Sequence, residues 1–327
     1  MAASAAGTSS VAAKPAGSAA ASGSAAAKPA PAGSVKAAWN TVTANQTPAW
    51  VAQEKGLFRQ HGLDVQLSYI QGSVAALPAL MAGEVSILQT TPVAAVQAKL
   101  KGLDTVVLGD HIPFINQRLV AIQGINSLDD LRGKTIGATK AGASDDFTLS
   151  LVLKSKGLTP NKDVNVTYLG DVPAQVAALS KNLVQAIVVS PPSNLTAEQV
   201  GGHEILNFYD LYIAYPGDGV VSTRAFVSQH HEQVVDFLEG YVDAIAYVKS
   251  HPDETKQVIA QYTKQEDKQA LDTTYQALVQ VLPDKPVPDP AGLQTILSSL
   301  DGGQGKNPAD FMDPQPMDEA LKALGKG

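Results

Sequence analysis

Seven short stretches carry the residue types from which a binding site can be built: NQT at 45–47, QGS at 71–73, QTT at 89–91, DH at 110–111, KAGASDD at 140–146, GD at 170–171 and SPPS at 190–193. Small hydroxyls and amides of this kind hydrogen-bond a polar solute. Gly72, Gly142 and Gly170 let backbone N–H groups approach it closely. The candidate ligand-binding set is Asn45, Gln46, Gln71, Gly72, Ser73, Thr90, Thr91, His111, Lys140, Gly142, Ser144, Asp145, Gly170, Asp171, Ser190 and Tyr215. Several have a competing structural role. Thr47, Ser73 and Ser144 are placed to cap helices, and Asp145 and Asp146 to satisfy a helix's first turn. Trp50 is placed to pack in a core, and Tyr212 and Tyr215 to wall a cleft or to pack between lobes. His111 follows an apolar run and is the foremost titratable candidate. Only Lys140 and His111 are basic in these stretches, against Asp110, Asp145, Asp146 and Asp171, so a neutral or zwitterionic organic solute fits at least as well as nitrate or a dianion.

The same residues argue against catalysis and against a metal or cofactor. There is no cysteine, and none of GxSxG, HExxH or a P-loop occurs. The six histidines are scattered, and His230-His231 are helix neighbours that do not share a face.

Elements that can position these loops alternate along the chain. Thr47-Pro48 opens a helix that Gly56 closes, a short turn ends at Gly62, and Val65, Leu67 and Tyr69 alternate as in a strand. Ser73 starts a helix that Gly83 ends, followed by a strand over 85–88. Pro92 starts the next helix, Gly102 ends it, and 105–108 reads as a short buried strand. Alternation with brief loops predicts right-handed crossovers and mainly parallel sheets. In such sheets ligands bind outside the carboxyl ends of the strands, where helix N-termini also point, and that rule selects the seven stretches.

The block is duplicated. A shift of 99 positions lays Asp64–Pro92 on Asp163–Pro191, matching Val65 with Val164, Tyr69 with Tyr168, Leu80 with Leu179 and Val85 with Val184. Gly83 falls on Asn182, the next best residue for a left-handed helix cap. Two similarly built α/β lobes are expected. Beyond about Val221 the pattern turns helical over 232–249, 253–262, 267–281 and 291–300. Phe237, Leu238, Tyr241, Ile245 and Val248 form one apolar stripe expected to cover the first lobe.

With 327 residues, 44% hydrophobic and 17% charged, the chain can build two ordinary domains. A net charge of −7 without a basic stripe makes nucleic acid an unexpected partner. Residues 1–34 are almost wholly Ala, Gly, Ser, Pro and Lys, too poor in apolar bulk to order themselves. They lack the apolar core of a signal peptide, so export requires a signal already removed, and they suit a tether to a lipid carried upstream.

PAWVAQEKGLFRQHGLDVQL, ALMAGEVSIL, SLDDLRGKTIGATKAG, PAQVAAL…VQAIVV and VVSTRAFVSQHHEQVVDFLEGYVDAI resemble, in order and spacing over roughly residues 35–300, the nitrate/sulfonate/taurine family of ABC-transporter solute-binding proteins. The resemblance implies a type II periplasmic-binding fold, with lobe one at 35–122 plus 222–327, lobe two at 123–221 and C-terminal helices on lobe one. It implies an extracytoplasmic, monomeric protein that closes over a sulfonate/taurine-like or pyrimidine-like solute and delivers it to a membrane permease. Membrane contact is expected only through the lipid tether. The alternatives are a ligand-sensing domain for a receptor and an enzyme on the same fold. Ser86 and Gln185 depart from the family's usual Asp, and Asn182 from its usual Gly, at positions away from the ligand end.

Overall fold

The computed structural model describes residues 33–327. The expected tether therefore lies outside the described residues, apart from Gly33 and Ser34, which begin the first strand instead. That strand, β1 (Gly33–Trp39), is followed by α1 (Thr47–Glu54), α2 (Leu57–Gln60), β2 (Leu63–Tyr69), α3 (Ser73–Met81), β3 (Ile87–Thr90), α4 (Pro92–Leu100) and β4 (Thr105–Phe114). The second half holds β5 (Arg118–Ala121), β6 (Thr135–Ala138), α5 (Ser144–Ser155), β7 (Asn165–Tyr168), α6 (Val172–Ser180), β8 (Ala186–Val189), α7 (Ser193–Gln199) and β9 (His203–Asn207). The chain returns through β10 (Ala214–Thr223), then α8 (Arg224–Gln229), α9 (His231–Ser250), α10 (Pro252–Thr263), α11 (Lys268–Val281), α12 (Pro290–Ser299) and α13 (Gln315–Ala323).

Two five-stranded sheets result, ordered β2-β1-β3-β10-β4 and β7-β6-β8-β5-β9. Each is mixed. β10 runs antiparallel between β3 and β4, and β5 runs antiparallel between β8 and β9. In both sheets the reversed strand is the first one after the chain crosses over, because a strand entering from the opposite half arrives pointing the other way. β10 pairs along β4 out to Phe114, which extends β4 well past the short strand expected at 105–108. These memberships correct the expected lobe boundaries. β5 lies before residue 123 yet joins the second sheet, and most of β10 lies before residue 222 yet joins the first, so the crossings fall at 115–117 and 208–213.

The duplication is visible element by element. The 99-residue offset carries α3 (Ser73–Met81) onto α6 (Val172–Ser180) and β3 (Ile87–Thr90) onto β8 (Ala186–Val189). The chain reversals follow it as well. Gly83 at φ 72° matches Asn182 at φ 55°, Gly62 at 77° matches Asn161 at 59°, and Gly102 at 90° matches Gly201 at 100°. Where glycine is replaced, asparagine holds the left-handed conformation, as its short polar side chain allows.

The stripe on α9 does what its spacing predicts. Phe237, Leu238, Tyr241, Ile245 and Val248 are each no more than 2% exposed, and they join α1, α2 and the first sheet in one core. Burial of this kind is worth about 1.5–3 kcal/mol per side chain. Trp50 belongs to the same core, edge-on to Trp39 at 5.1 Å and stacked on Tyr262 at 4.6 Å. α13 also packs on α9 through Met317, Ala320 and Leu321. No helix among the described residues is long and apolar enough to cross a membrane.

Candidate functional site

The carboxyl ends of β1, β2 and β3 face those of β6, β7 and β8, and between them lies a cleft of about 800 Å³. Asn45, Gln71, Gly72, Ser73, Thr91, Lys140, Ser144, Asp145, Gly170, Asp171, Ser190 and Tyr215 all line it. Apart from Tyr215, which lies at the start of β10, they come together because they follow strands whose neighbours end at the same level, so loops far apart in sequence share one rim.

Four candidates lie elsewhere. Gln46 is fully buried, donating through its side-chain nitrogen to Asp218 Oδ2 and accepting the Asn40 N–H at 3.3 Å. Thr90 is fully buried and its hydroxyl accepts from the Asn40 amide. Gly142 holds a turn at φ 76° and donates its N–H to Asp146 at 2.8 Å. His111 lies beneath the cleft floor. Its Nε2 is 2.8 Å from the Asn45 carbonyl and its Nδ1 is 3.0 Å from the Tyr241 hydroxyl. Burial lowers its pKa to about 4, so the ring is neutral, donating to Asn45 and accepting from Tyr241. Its 3.9 Å approach to Asp218 is for that reason not an ion pair. Tyr212 also stands outside the cleft, 69% exposed beside Phe114 and Tyr209, whereas Tyr215 is buried in it and stacks on Phe147.

The expected hydroxyl caps are absent. α1, α3 and α5 take Gln46, Gly72 and Ala143 as N-caps, none of which caps through its side chain, although the Ala49 N–H in the first turn of α1 is met by Gln89 Oε1 at 3.2 Å. The Thr47 hydroxyl instead donates to the Ala44 carbonyl at 2.6 Å, which closes the preceding turn. Asp171 does cap: its Oδ1 accepts the Ala174 N–H at 2.8 Å, while Oδ2 accepts from Gln71 at 3.4 Å across the cleft. A second link between the two halves, beside the cleft, runs from the Ala44 N–H to the Pro191 carbonyl at 3.1 Å. Asp145 ties the end of β6 to α5, accepting the Thr139 N–H at 2.6 Å, the Thr139 hydroxyl at 2.8 Å and the Gln175 amide at 3.1 Å.

The cleft also contains residues that sequence reasoning missed. Asn40, Thr41, Val42 and Thr43 directly follow β1, and the strand-end rule selects them once the strand's end at Trp39 is known. Asn116 and Gln117 come from the first crossing, Asp218 from β10, and Thr263, Lys264 and Gln265 from the end of α10; no local pattern marks any of them. Asn45 and Asn116 exchange reciprocal amide bonds at 3.1 and 2.7 Å, closing the back of the cleft.

Two carboxylates below and at the floor are costly. Asp110 and Asp218 are 2% and 3% exposed, and one oxygen of each lacks a partner among the described residues. Desolvation raises both well above the usual carboxylate range. A carboxyl whose folded pKa is raised stabilises the fold at low pH, and that contribution is lost as pH rises through the raised value. Asp110→Asn is therefore expected to stabilise the protein at pH 7.5, by about 1–2 kcal/mol, with the gain fading towards pH 4. Denaturant unfolding at the two pH values measures it, and equal stability at both would remove the buried charge from the account.

The NMT1/THI5-like family matches residues 43–255, which span both sheets and the cleft between them. The chain belongs to the NMT1/THI5-like family. A putative binding protein of Brucella abortus is 26% identical over 226 residues, covering 68% of this chain and 69% of the relative. Solved structures share the fold. The alkanesulfonate-binding protein from Xanthomonas axonopodis, bound to MOPS, matches with a TM-score of 0.71 at 17% identity over 88% of this chain and 100% of its own. The periplasmic nitrate-binding protein of Synechocystis matches with a TM-score of 0.72 at 14% identity over 90% of each chain.

Proposed function

We propose that this NMT1/THI5-like chain is the extracytoplasmic solute-binding component of an ABC importer, taking a small organic solute between two lobes and presenting the closed form to a membrane permease. The observation that carries this reading is the cleft itself: strand-end loops from two duplicated sheets, joined by two crossings, enclose a volume in the range of small-molecule sites. The fold shared with sulfonate- and nitrate-binding proteins supports it. Binding rather than turnover is favoured because the His111 imidazole, foremost among the titratable candidates, is committed at both nitrogens beneath the floor and does not line the cleft. The lobes are proposed as 33–116 with 214–327 and as 117–213, and the protein acts as a monomer tethered by a lipid upstream.

In this mechanism solute binds one lobe first, and closure about 115–117 and 208–213 lets the other complete the hydrogen bonds. The equilibrium shifts by the solute's differential affinity for the closed state. The Gln71–Asp171 and Ala44–Pro191 links are contacts that closure makes. A true solute at 100 times its dissociation constant is expected to stabilise the fold by about 2.7 kcal/mol. A melting screen over taurine, alkylsulfonates, nitrate, bicarbonate, pyrimidines and aromatic carboxylates measures this, with native mass spectrometry for a solute retained through purification. Turnover of any of them would overturn the binding reading.

A further inference from the structure

The cleft is far larger than an inorganic oxyanion needs, and its two ends differ in chemistry. Towards solvent it is apolar. Val42, Tyr69 and Val200 are 39%, 45% and 44% exposed and all line it, so three of the eight exposed large apolar side chains of the described residues gather at one place. Val172 and Val176 on α6 continue the same wall. Solitary exposed apolar residues are ordinary, but several turned into one concave surface are what an apolar guest covers.

At the floor the chemistry is that of hydrogen-bond acceptance. Asn40, Asp218 and Tyr215 line the cleft at 2%, 3% and 1% exposure. Asn40 Oδ1, Asp218 Oδ1 and the Tyr215 hydroxyl have no hydrogen-bond partner among the described residues. Buried polar atoms are nearly always paired, so three together at the bottom of a cleft mark places where a guest supplies the missing partners. Asn40 Oδ1 accepts only, and Asp218 Oδ1 does so once its carboxyl is ionised. No arginine lines the cleft among the described residues, and its two lysines, Lys140 and Lys264, are exposed at the rim.

We infer that the solute carries a hydrogen-bond-donating nitrogen pole, an amine or an amide N–H, seated against Asp218, Asn40 and Tyr215, on an apolar body held by Val42, Tyr69, Val172, Val176 and Val200. The inference rests on the solute-binding reading and narrows it to a substrate class, with Asp218 as a specificity-determining residue. The competing arrangement is an oxyanion on the N-termini of α3 and α5, which open on the same cleft without side-chain caps. Each helix end offers about half a unit of positive charge, against a full carboxylate at Asp218 once a cation is present to pair with it.

A matched set of probes separates the two. Benzylamine, benzamide, benzenesulfonate and nitrate are titrated against the full chain by calorimetry, with wild type compared with Asp218→Asn. The expected result is that benzylamine and benzamide bind more tightly than benzenesulfonate, with nitrate weakest. Asp218→Asn is expected to weaken benzylamine about tenfold and benzamide less than about threefold, because only the cation exploits the charge. Melting of the unliganded variant verifies that it folds, and Asp110→Asn, which alters a buried carboxylate outside the cleft, serves as the control for general electrostatic effects. Tighter binding of benzenesulfonate or nitrate than of the nitrogen donors overturns the inference while leaving solute binding intact. So does equal weakening of all probes by Asp218→Asn. If no probe binds, the inference is likewise overturned, and a retained solute in the native mass spectrum then decides whether the binding reading survives.

Discussion

Gly219→Ala is expected to lower stability by about 3 kcal/mol, the upper range for forcing extra volume into a packed interior. A Cβ at this position falls 2.3 Å from the Gly109 carbonyl oxygen and 3.4 Å from Pro92, and the nearer obstacle is backbone, which no rotamer change can move aside. Gly219 sits on β10 opposite Asp110 on β4 and next to Asp218, where the pairing already carries register shifts. Relief of the clash requires the two strands to separate, which carries Asp218 away from Gln46 and from the cleft. The variant should therefore lose both thermal stability, about 6 °C for a chain of this size, and affinity for whatever solute the wild type binds. Calorimetric melting and titration check the two effects together. A variant that melts within about 1 °C of wild type would show that β10 and β4 do not approach as described.

The second large effect is electrostatic. His111 is held neutral with its pKa near 4, against about 6.5 in an unfolded chain. Between those values the unfolded chain binds a proton that the folded one refuses. Stability from this residue is thus complete above about pH 6.5 and declines by about 3 kcal/mol as the pH falls to 4. Asp110 and Asp218 contribute in the opposite sense, gaining as pH falls, so the wild-type curve alone mixes the signs. The comparison that isolates the imidazole is wild type against His111→Gln. Wild type should be the more stable at pH 7, where Asn45 and Tyr241 keep their ring partner, and the difference should shrink by about 3 kcal/mol by pH 4. Denaturant midpoints across that range measure it, and a pH-independent difference would mean the ring is not buried neutral.

This result bears on function because Asn45 connects floor and cleft. The His111 ring and the Gln89 amide both bond its carbonyl, at 2.8 and 2.9 Å, while its side chain locks to Asn116 in the first crossing. A residue chosen from sequence as a ligand contact is thus better described as support: it fixes a loop that does face the cleft. The same holds for Gln46, which bonds Asp218 from below.

Much was legible in the residues alone, for identifiable reasons. The alternation of strand and helix, the apolar stripe on α9 and the 99-residue duplication are local or strictly periodic, and packing had no cause to override them. The Asn182 reversal could be foreseen because only a few residue types tolerate the left-handed region. The strand-end rule then placed most candidate residues around one cleft, since parallel neighbours in a sheet bring their carboxyl ends to one level.

Tertiary structure alone decided the rest. Which strand pairs with which is set by long-range contacts, so the transfer of β5 and β10 to opposite sheets, and with it the true crossings, left no local mark. Burial separated residues of the same type. Thr90, at the end of β3, went beneath the floor while Thr91 kept a face on the cleft, because a one-residue step along an extended chain turns a side chain to the other surface. Asp218, the acceptor at the centre of the proposed specificity, sits on a returning strand whose sequence, YPGDGVV, announces neither its burial nor its neighbours. Its unpaired oxygen exists only because distant segments converge around it, and convergence of that kind is a property of the folded chain.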